Sequence, residues 1–274
     1  MRGRKKSSEP RIVLVKLGGS VITDKTRPFT ERMDVIKRLA GEIHSARSEL
    51  GLRLIVGHGG GSYPHTPAAK FRVKEGRVAG SSPRGVALVQ NAAARLNRLV
   101  VAALIEAGED AVSVQPSASV LADSSSIVSW DTGALEAMLE AGLLPVVHGD
   151  VVMDATQGWS IASTEDLFLY LAAHLPVERV VIGSDVDGVL DRAGSGAKFD
   201  VITPKDLKRI SGSLQGAGTV DVTGGMRSKV ESLLRLAEER GVESVILNAA
   251  KPGLLEAALR GKTGIGTEIR ISNR

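Results

Sequence analysis

Three lysines and a histidine stand in or beside glycine-rich turns, and these residues are suited to chemistry on a phosphate. The first turn, Lys16-Leu17-Gly18-Gly19-Ser20, follows the apolar run Ile12 to Val15. Paired glycines let a backbone approach a ligand and aim N–H groups at an anion, while the lysine adds a compact positive charge. The second is Gly57-His58-Gly59-Gly60-Gly61-Ser62-Tyr63-Pro64-His65. Each glycine costs roughly 0.5–1 kcal/mol on ordering relative to alanine, so this run predicts a nest of N–H donors rather than a plain connector. His65, past the glycines in a polar loop, reads either as a phosphate-facing donor or as a structural residue. His58 and His148, beside strands, read as hydrogen-bonded structural histidines.

The third turn, Ser184-Asp185-Val186-Asp187-Gly188-Val189, places two carboxylates near an anion site. That fits magnesium carried by phosphates and water, or equally an Asp-x-Asp-Gly turn bonded to its own backbone. The fourth, Asp221-Val222-Thr223-Gly224-Gly225-Met226-Arg227-Ser228-Lys229, leads into a helix. Glycines at a helix N-terminus make an anion site that Lys229 can share; the alternative is a Thr223 cap with Lys229 in solvent. Neither the P-loop spacing nor Gly-x-Gly-x-x-Gly occurs. Four such turns, two with lysines, predict a site for two phosphorylated groups.

These turns need a scaffold that brings them together. Short β-branched runs alternate with helical patterns, which predicts an α/β domain with a mostly parallel sheet and ligands in the crevice beyond the carboxyl ends of its strands. The expected strands are Ile12 to Lys16, Arg53 to Val56, Ala111 to Val114, Pro145 to His148, Arg179 to Ile182, Ser244 to Leu247 and Thr267 to Ile271. Helices are expected over 31–48, 85–107, 132–141, 165–174, 204–210, 226–240 and 253–260. In the second of these, Val86, Val89, Ala93, Leu96, Val100 and Leu104 form one apolar stripe. The Gly- and Ser-rich stretches 79–85 and 211–218 are expected to be mobile surface loops. A two-lobed single domain is the simplest architecture.

Composition removes several classes. The chain has 274 residues, no cysteine and 3% aromatic residues. Disulfide frameworks, thiolate zinc sites and cysteine nucleophiles are therefore absent, and base-stacking nucleic-acid binders are disfavoured. Of the net charge of +4, three units lie in residues 1–10, where Arg2, Arg4, Lys5 and Lys6 oppose Glu9. That pattern predicts a solvated terminus without a nucleic-acid role. No apolar run approaches the ~18 residues of a membrane span and no secretory h-region is visible, so a cytoplasmic, membrane-free protein is expected.

From Arg11 to Arg270 the motifs resemble the amino acid kinase superfamily, and within it the isopentenyl phosphate kinases. Lys16 to Lys25 is similar to the family's opening motif, with Thr23-Asp24-Lys25 typical of that branch. His58 to His65 resembles a His-Gly-Gly-Gly-Ser-Phe-Gly-His loop, and Gly149-Asp150, Ser184 to Val189 and Asp221 to Lys229 match later motifs in order.

The resemblance implies a three-layer αβα sandwich around a mostly parallel sheet, with an acceptor lobe over about 11–175 and a nucleotide lobe over about 176–274. It implies phosphoryl transfer from ATP to isopentenyl phosphate with Mg2+, in a homodimer. Lys16 and Lys229 would hold the β- and γ-phosphates, and Lys25 would stabilise the transferring group. His65 would donate to the acceptor phosphate, held also by Gly59, Gly60, Gly61, Ser62, Gly149 and Thr164. Gly18, Gly19, Ser20, Gly61, Asp185, Asp187, Gly188 and Gly225 would surround the nucleotide, and no metal ligand is assigned to the protein. A prenyl tail needs an apolar wall, for which helix 85–107 with Ala87, Ala92 and Ala93 is the candidate.

Two departures stand out. Tyr63-Pro64 replaces the family's Phe-Gly, removing one N–H. In Ser163-Thr164-Glu165-Asp166 the family's lysine-organising aspartate falls on Glu165, with Asp166 as the neighbour that can substitute. A same-fold kinase of another small phosphate or phosphonate, such as fosfomycin, is the alternative reading, and a non-catalytic nucleotide sensor is a third.

Overall fold

The first strand, β1 (Ile12–Leu17), is buried along its whole length. Strand side chains alternate, so Ile12 and Leu14 enter one core while Val13, Val15 and Leu17 enter another on the opposite face. A strand apolar on both faces is the mark of a parallel sheet covered by helices on each side. By the same alternation Lys16 belongs with Ile12 and Leu14, and this decides what it meets.

The computed structural model describes residues 11–190, 197–206 and 223–272. After β1 come α1 (Gly19–Ile22), α2 (Met33–Leu50), β2 (Arg53–His58), α3 (Ser62–Lys70), α4 (Pro83–Glu106) and β3 (Ala111–Ser113). Next are β4 (Leu121–Asp123), β5 (Ser126–Ser129), α5 (Gly133–Glu140), β6 (Leu144–His148), β7 (Asp150–Asp154), β8 (Gly158–Ala162) and α6 (Thr164–His174). The chain continues with β9 (Val177–Ser184), β10 (Val201–Ile202), α7 (Thr223–Arg240), β11 (Glu243–Asn248), α8 (Leu254–Leu259) and β12 (Gly266–Ile269).

Eight strands form the main sheet in the order β10-β12-β11-β9-β1-β2-β6-β3. From β11 across to β3 all neighbours are parallel; β12 pairs antiparallel with β11. One core contains residues of α5, α6 and α7, and the other contains residues of α2, α4 and α8, which makes the three layers expected from the sequence. Helix α4 is N-capped by Ser82, whose side chain accepts from the Arg84 N–H, with Pro83 at its first position. Residues 83–85 are therefore helical, a correction to the mobile loop expected over 79–85. By length and composition α4 would span a bilayer, but half of its apolar window is buried in the fold, as in a core helix.

A second sheet, β5-β4-β7-β8, was not legible in the sequence. Its strands are three to five residues long, too short for an alternation to emerge. The short helices α1 and α3 were likewise hidden in glycine turns. Of the helix expected over 204–210, the described part is a single 3-10 turn, Pro204–Asp206. Stretch 211–218, residues 1–10, Asp221 and Val222 lie outside the described residues.

Candidate active site

At the carboxyl ends of β1, β2, β6 and β9 lies a cavity of about 320 Å³. Lys16, Gly18, Gly19 and Ser20 reach it from β1 and the turn after it, Gly59 to Gly61 from the turn after β2, and Gly149 from β6. Lys25, His65, Thr164, Glu165 and Lys229 add to its polar lining.

Glu165, in the first turn of α6, holds two cations. Its carboxylate contacts the Lys16 ammonium directly and lies 3.1 Å from Lys229 Nζ. Lys16 faces α6 and α7 because strand alternation sends it there, and it is only 7% exposed. Burial pushes Glu165 upward, but the two lysines outweigh it and its carboxyl falls to about 2. Burial lowers the pKa of Lys16, opposed by Glu165 and reinforced by Lys229. The result is an ordered pair of positive charges on one fixed negative charge, facing the cavity. Asp166 does something else: its side chain accepts from the Ser163 N–H, and Ser163 accepts from the Asp166 N–H, a capping box that starts α6. The lysine-organising role thus goes to Glu165, and Asp166 is corrected to a cap.

Lys25 is presented by a turn built on Asp24, which accepts from the Thr26 N–H at 2.9 Å and the Thr26 hydroxyl at 2.6 Å. These bonds, with Arg27, hold the Asp24 carboxyl at about 2.

The glycines are required chiefly by close approach of two loops. A Cβ on Gly19 would lie 2.4 Å from the Gly61 N, and one on Gly59 would lie 2.8 Å from the Gly19 N. Gly61, at φ 53°, would press a Cβ onto Thr23 Oγ1. Thr23, fully buried, locks this junction: it donates to the Gly19 carbonyl at 2.6 Å and accepts from the Ser62 N–H at 3.0 Å. In the sequence Thr23 is visible only as part of the Thr23-Asp24-Lys25 motif.

The backbone N–H groups around the cavity divide into engaged and free. Gly18 donates to Gly183, Gly59 to Leu17, and Gly149 to the His58 carbonyl at 3.2 Å. Gly149 therefore supports the site instead of offering its N–H to an acceptor, a correction. Among the described residues no protein acceptor meets the N–H groups of Gly19, Ser20, Gly60 and Gly61, and these border the cavity. Donors of this kind, together with those at the start of α6, are able to cradle an anion.

His65 sits in the first turn of α3, not in a loop as expected, and lines the cavity. Burial and the Lys25 charge hold its imidazole below the usual value, which leaves it neutral at pH 7. Pro64 is also in that first turn, where a missing N–H removes no helical bond. Its ring packs on Gly60, where a Cβ would lie 2.2 Å from Pro64 Cγ. Beyond His65 the lining turns apolar, with Pro64, Ala68, Val89 and Ile161. Helix α4 gives this wall only Val89: Ala92 and Ala93 are buried in the core and Ala87 is exposed, so the small-residue wall is corrected.

Several predicted residues lie off the cavity or have their polar groups engaged elsewhere. Ser62 is buried, its hydroxyl accepting from the Thr30 N–H at 3.2 Å. Thr164 lines the cavity, but its hydroxyl donates to the His58 carbonyl at 2.7 Å. Asp185 is outside the lining, and Asp187 is engaged by Lys251 at 2.6 Å and by the Asn248 amide at 2.9 Å. At Gly188 a Cβ would strike Thr267, which explains that glycine without a ligand. Gly225 falls in the first turn of α7. Ser184, Gly183, Ile182, Asp150 and Ser163 line the cavity without having been assigned to it.

The model of the amino acid kinase family matches residues 11–248. An isopentenyl phosphate kinase of Methanothermobacter thermautotrophicus is 40% identical over 94% of this chain and 98% of its own length. One from Methanocaldococcus jannaschii is 33% identical over 95% of this chain and 99% of its own. A crystallographic isopentenyl phosphate kinase superposes with a TM-score of 0.79 at 37% identity, covering 94% of this chain and all of the other.

Proposed function

Because this chain belongs to the amino acid kinase family, and within it to the isopentenyl phosphate kinases, we propose that it transfers the γ-phosphoryl group of ATP to isopentenyl phosphate, giving isopentenyl diphosphate and ADP. The observation that carries this is a single cavity lined both by phosphate-binding groups and by apolar side chains. Lys16, Lys25, Lys229, His65 and free backbone N–H groups share it with Pro64, Ala68, Val89 and Ile161. A phosphate attached to a short hydrocarbon fits that lining, whereas the carboxylate of an amino acid does not need it.

In the reaction an acceptor phosphate oxygen forms a bond to Pγ as the bond between Pγ and the ADP oxygen breaks. Little covalent help is needed, so positioning and charge dominate. Lys16 and Lys229, set by Glu165, neutralise the nucleotide side, and Lys25 faces the group in transit. His65, with Gly60 and Gly61, holds the acceptor phosphate. The acceptor lobe is drawn from residues before about 175 and the nucleotide lobe from those after.

Mg2+ is expected with the nucleotide. Glu165 is engaged by two lysines and Asp150 by the N–H groups of Ser117 and Val151, and among the described residues no group of three or more His, Asp or Glu is placed to hold a metal. These residues fit a metal carried in on phosphate oxygens, where it supplies further charge neutralisation. A homodimer rests on the resemblance.

Coupled ADP release with isopentenyl phosphate, dimethylallyl phosphate and fosfomycin, measured side by side, tests the reading. Turnover with isopentenyl phosphate is expected; turnover with fosfomycin alone would overturn it.

A further inference from the structure

His58 ends β2 and is fully buried, facing α4 by strand alternation. Its Nδ1 lies 3.1 Å from the carbonyl oxygen of Gly59. A carbonyl only accepts, so Nδ1 carries a proton. Its Nε2 lies 3.1 Å from the side-chain amide nitrogen of Asn97, on α4, and Asn97 is itself 1% exposed. An unprotonated Nε2 accepts there, and the Asn97 oxygen accepts from the Ser113 hydroxyl at 2.5 Å. Turning the amide over would demand a proton on Nε2. The neutral ring would then set the Nδ1 lone pair against the Gly59 oxygen. The charged ring is opposed by burial, by His148 stacked at 5.6 Å on β6, and by Lys16 on β1. One neutral tautomer satisfies every group.

We propose that Asn97 is a positioning residue of this site: by donating to His58 Nε2 it fixes the Nδ1–H tautomer that holds the Gly59 carbonyl, and so aims the Gly60 and Gly61 N–H groups at the acceptor phosphate. Asn97 is absent from the cavity lining and acts only through His58. The backbone carbonyl of His58 extends the same support, accepting from Gly149 N–H and Thr164 Oγ1. Val89, two turns earlier on α4, lines the apolar wall. One helix therefore bears on both ends of the acceptor. This assignment rests on the kinase reading for the identity of the acceptor, but not for the tautomer.

Nitrogen-15 spectra of the histidine rings, with the assignment made by comparison with H58N, are expected to show a protonated Nδ1 and a bare Nε2 on His58. A protonated Nε2 in the wild type would overturn the proposal. In N97D the carboxylate accepts instead of donating, which forces a proton onto Nε2. Inorganic phosphate, followed at the Gly60 and Gly61 amides, is expected to bind at least fivefold more weakly to N97D than to the wild type. In turnover kcat is expected to drop at least tenfold, with the KM for ATP within twofold. N97L, which deletes the donor without reversing it, is expected to fall between the two. Unchanged phosphate affinity in folded N97D would sink the idea, and an inactive wild type with the expected tautomer would instead sink the substrate assignment.

Discussion

Replacing Glu165 by glutamine tests the central electrostatic claim. The side chain is 18% exposed, and the lysines take its carboxyl from 4.5 to about 2, a preference for the charged form of about 3 kcal/mol. The folded value lies below the unfolded one, so this stabilisation is complete above about pH 4.5 and fades as pH falls toward 2. Urea unfolding should therefore show Glu165→Gln less stable by up to about 3 kcal/mol at pH 7, with the gap narrowing by pH 3. In the variant, burial and Lys229 act on Lys16 with only the weaker Asp166 charge opposing them, and its pKa falls further. The basic limb of kcat/KM should accordingly move to lower pH. If the same energy orders the lysines for transfer, kcat drops on the order of 10²-fold. A kcat within threefold of wild type with an unmoved basic limb would refute the argument, as would a stability gap that does not shrink in acid.

Other expectations follow from individual contacts. His65→Ala should cost about 10²-fold in kcat in the ADP-release assay, by comparison with loss of one oxyanion donor; a loss below about threefold would make His65 structural. Gly19→Ala forces a Cβ to within 2.4 Å of Gly61 N and should lower stability by about 1–3 kcal/mol in urea, along with activity. Gly41→Ala, in α2 with nothing within 4 Å, should instead stabilise by about 0.4–1 kcal/mol. Val89→Phe fills the apolar wall and should raise the KM for isopentenyl phosphate about tenfold while leaving that for ATP unchanged, as steady-state kinetics would show. Deleting residues 1–10 should leave kcat/KM unaltered, since the expected site begins at Lys16.

The main sheet was legible because its strands are apolar on both faces and its helices carry long stripes. Val89 to Leu104 is one such stripe, and it runs along the buried side of α4. The small sheet was not legible: a three-residue strand such as Leu121–Asp123 holds too few side chains to show a period. The candidate site divides in the same way. Glycines after strands marked where the cavity would be, and Lys16, His65 and Lys229 were visible in those segments.

Residue type and spacing alone determined the fold class, the strand ends that carry ligands and the phosphate character of the site. Only the tertiary structure decided which of these groups remain available. Gly149 spends its N–H on His58, Asp166 closes a helix cap, and Asp187 pairs with Lys251, whereas Gly60 and Gly61 keep their donors. Glu165 reaches both lysines because β1, α6 and α7 converge there, although Lys16 and Glu165 are 149 positions apart in the sequence. A sequence lists donors and charges, but which of them are already satisfied depends on partners far along the chain, and folding supplies those partners.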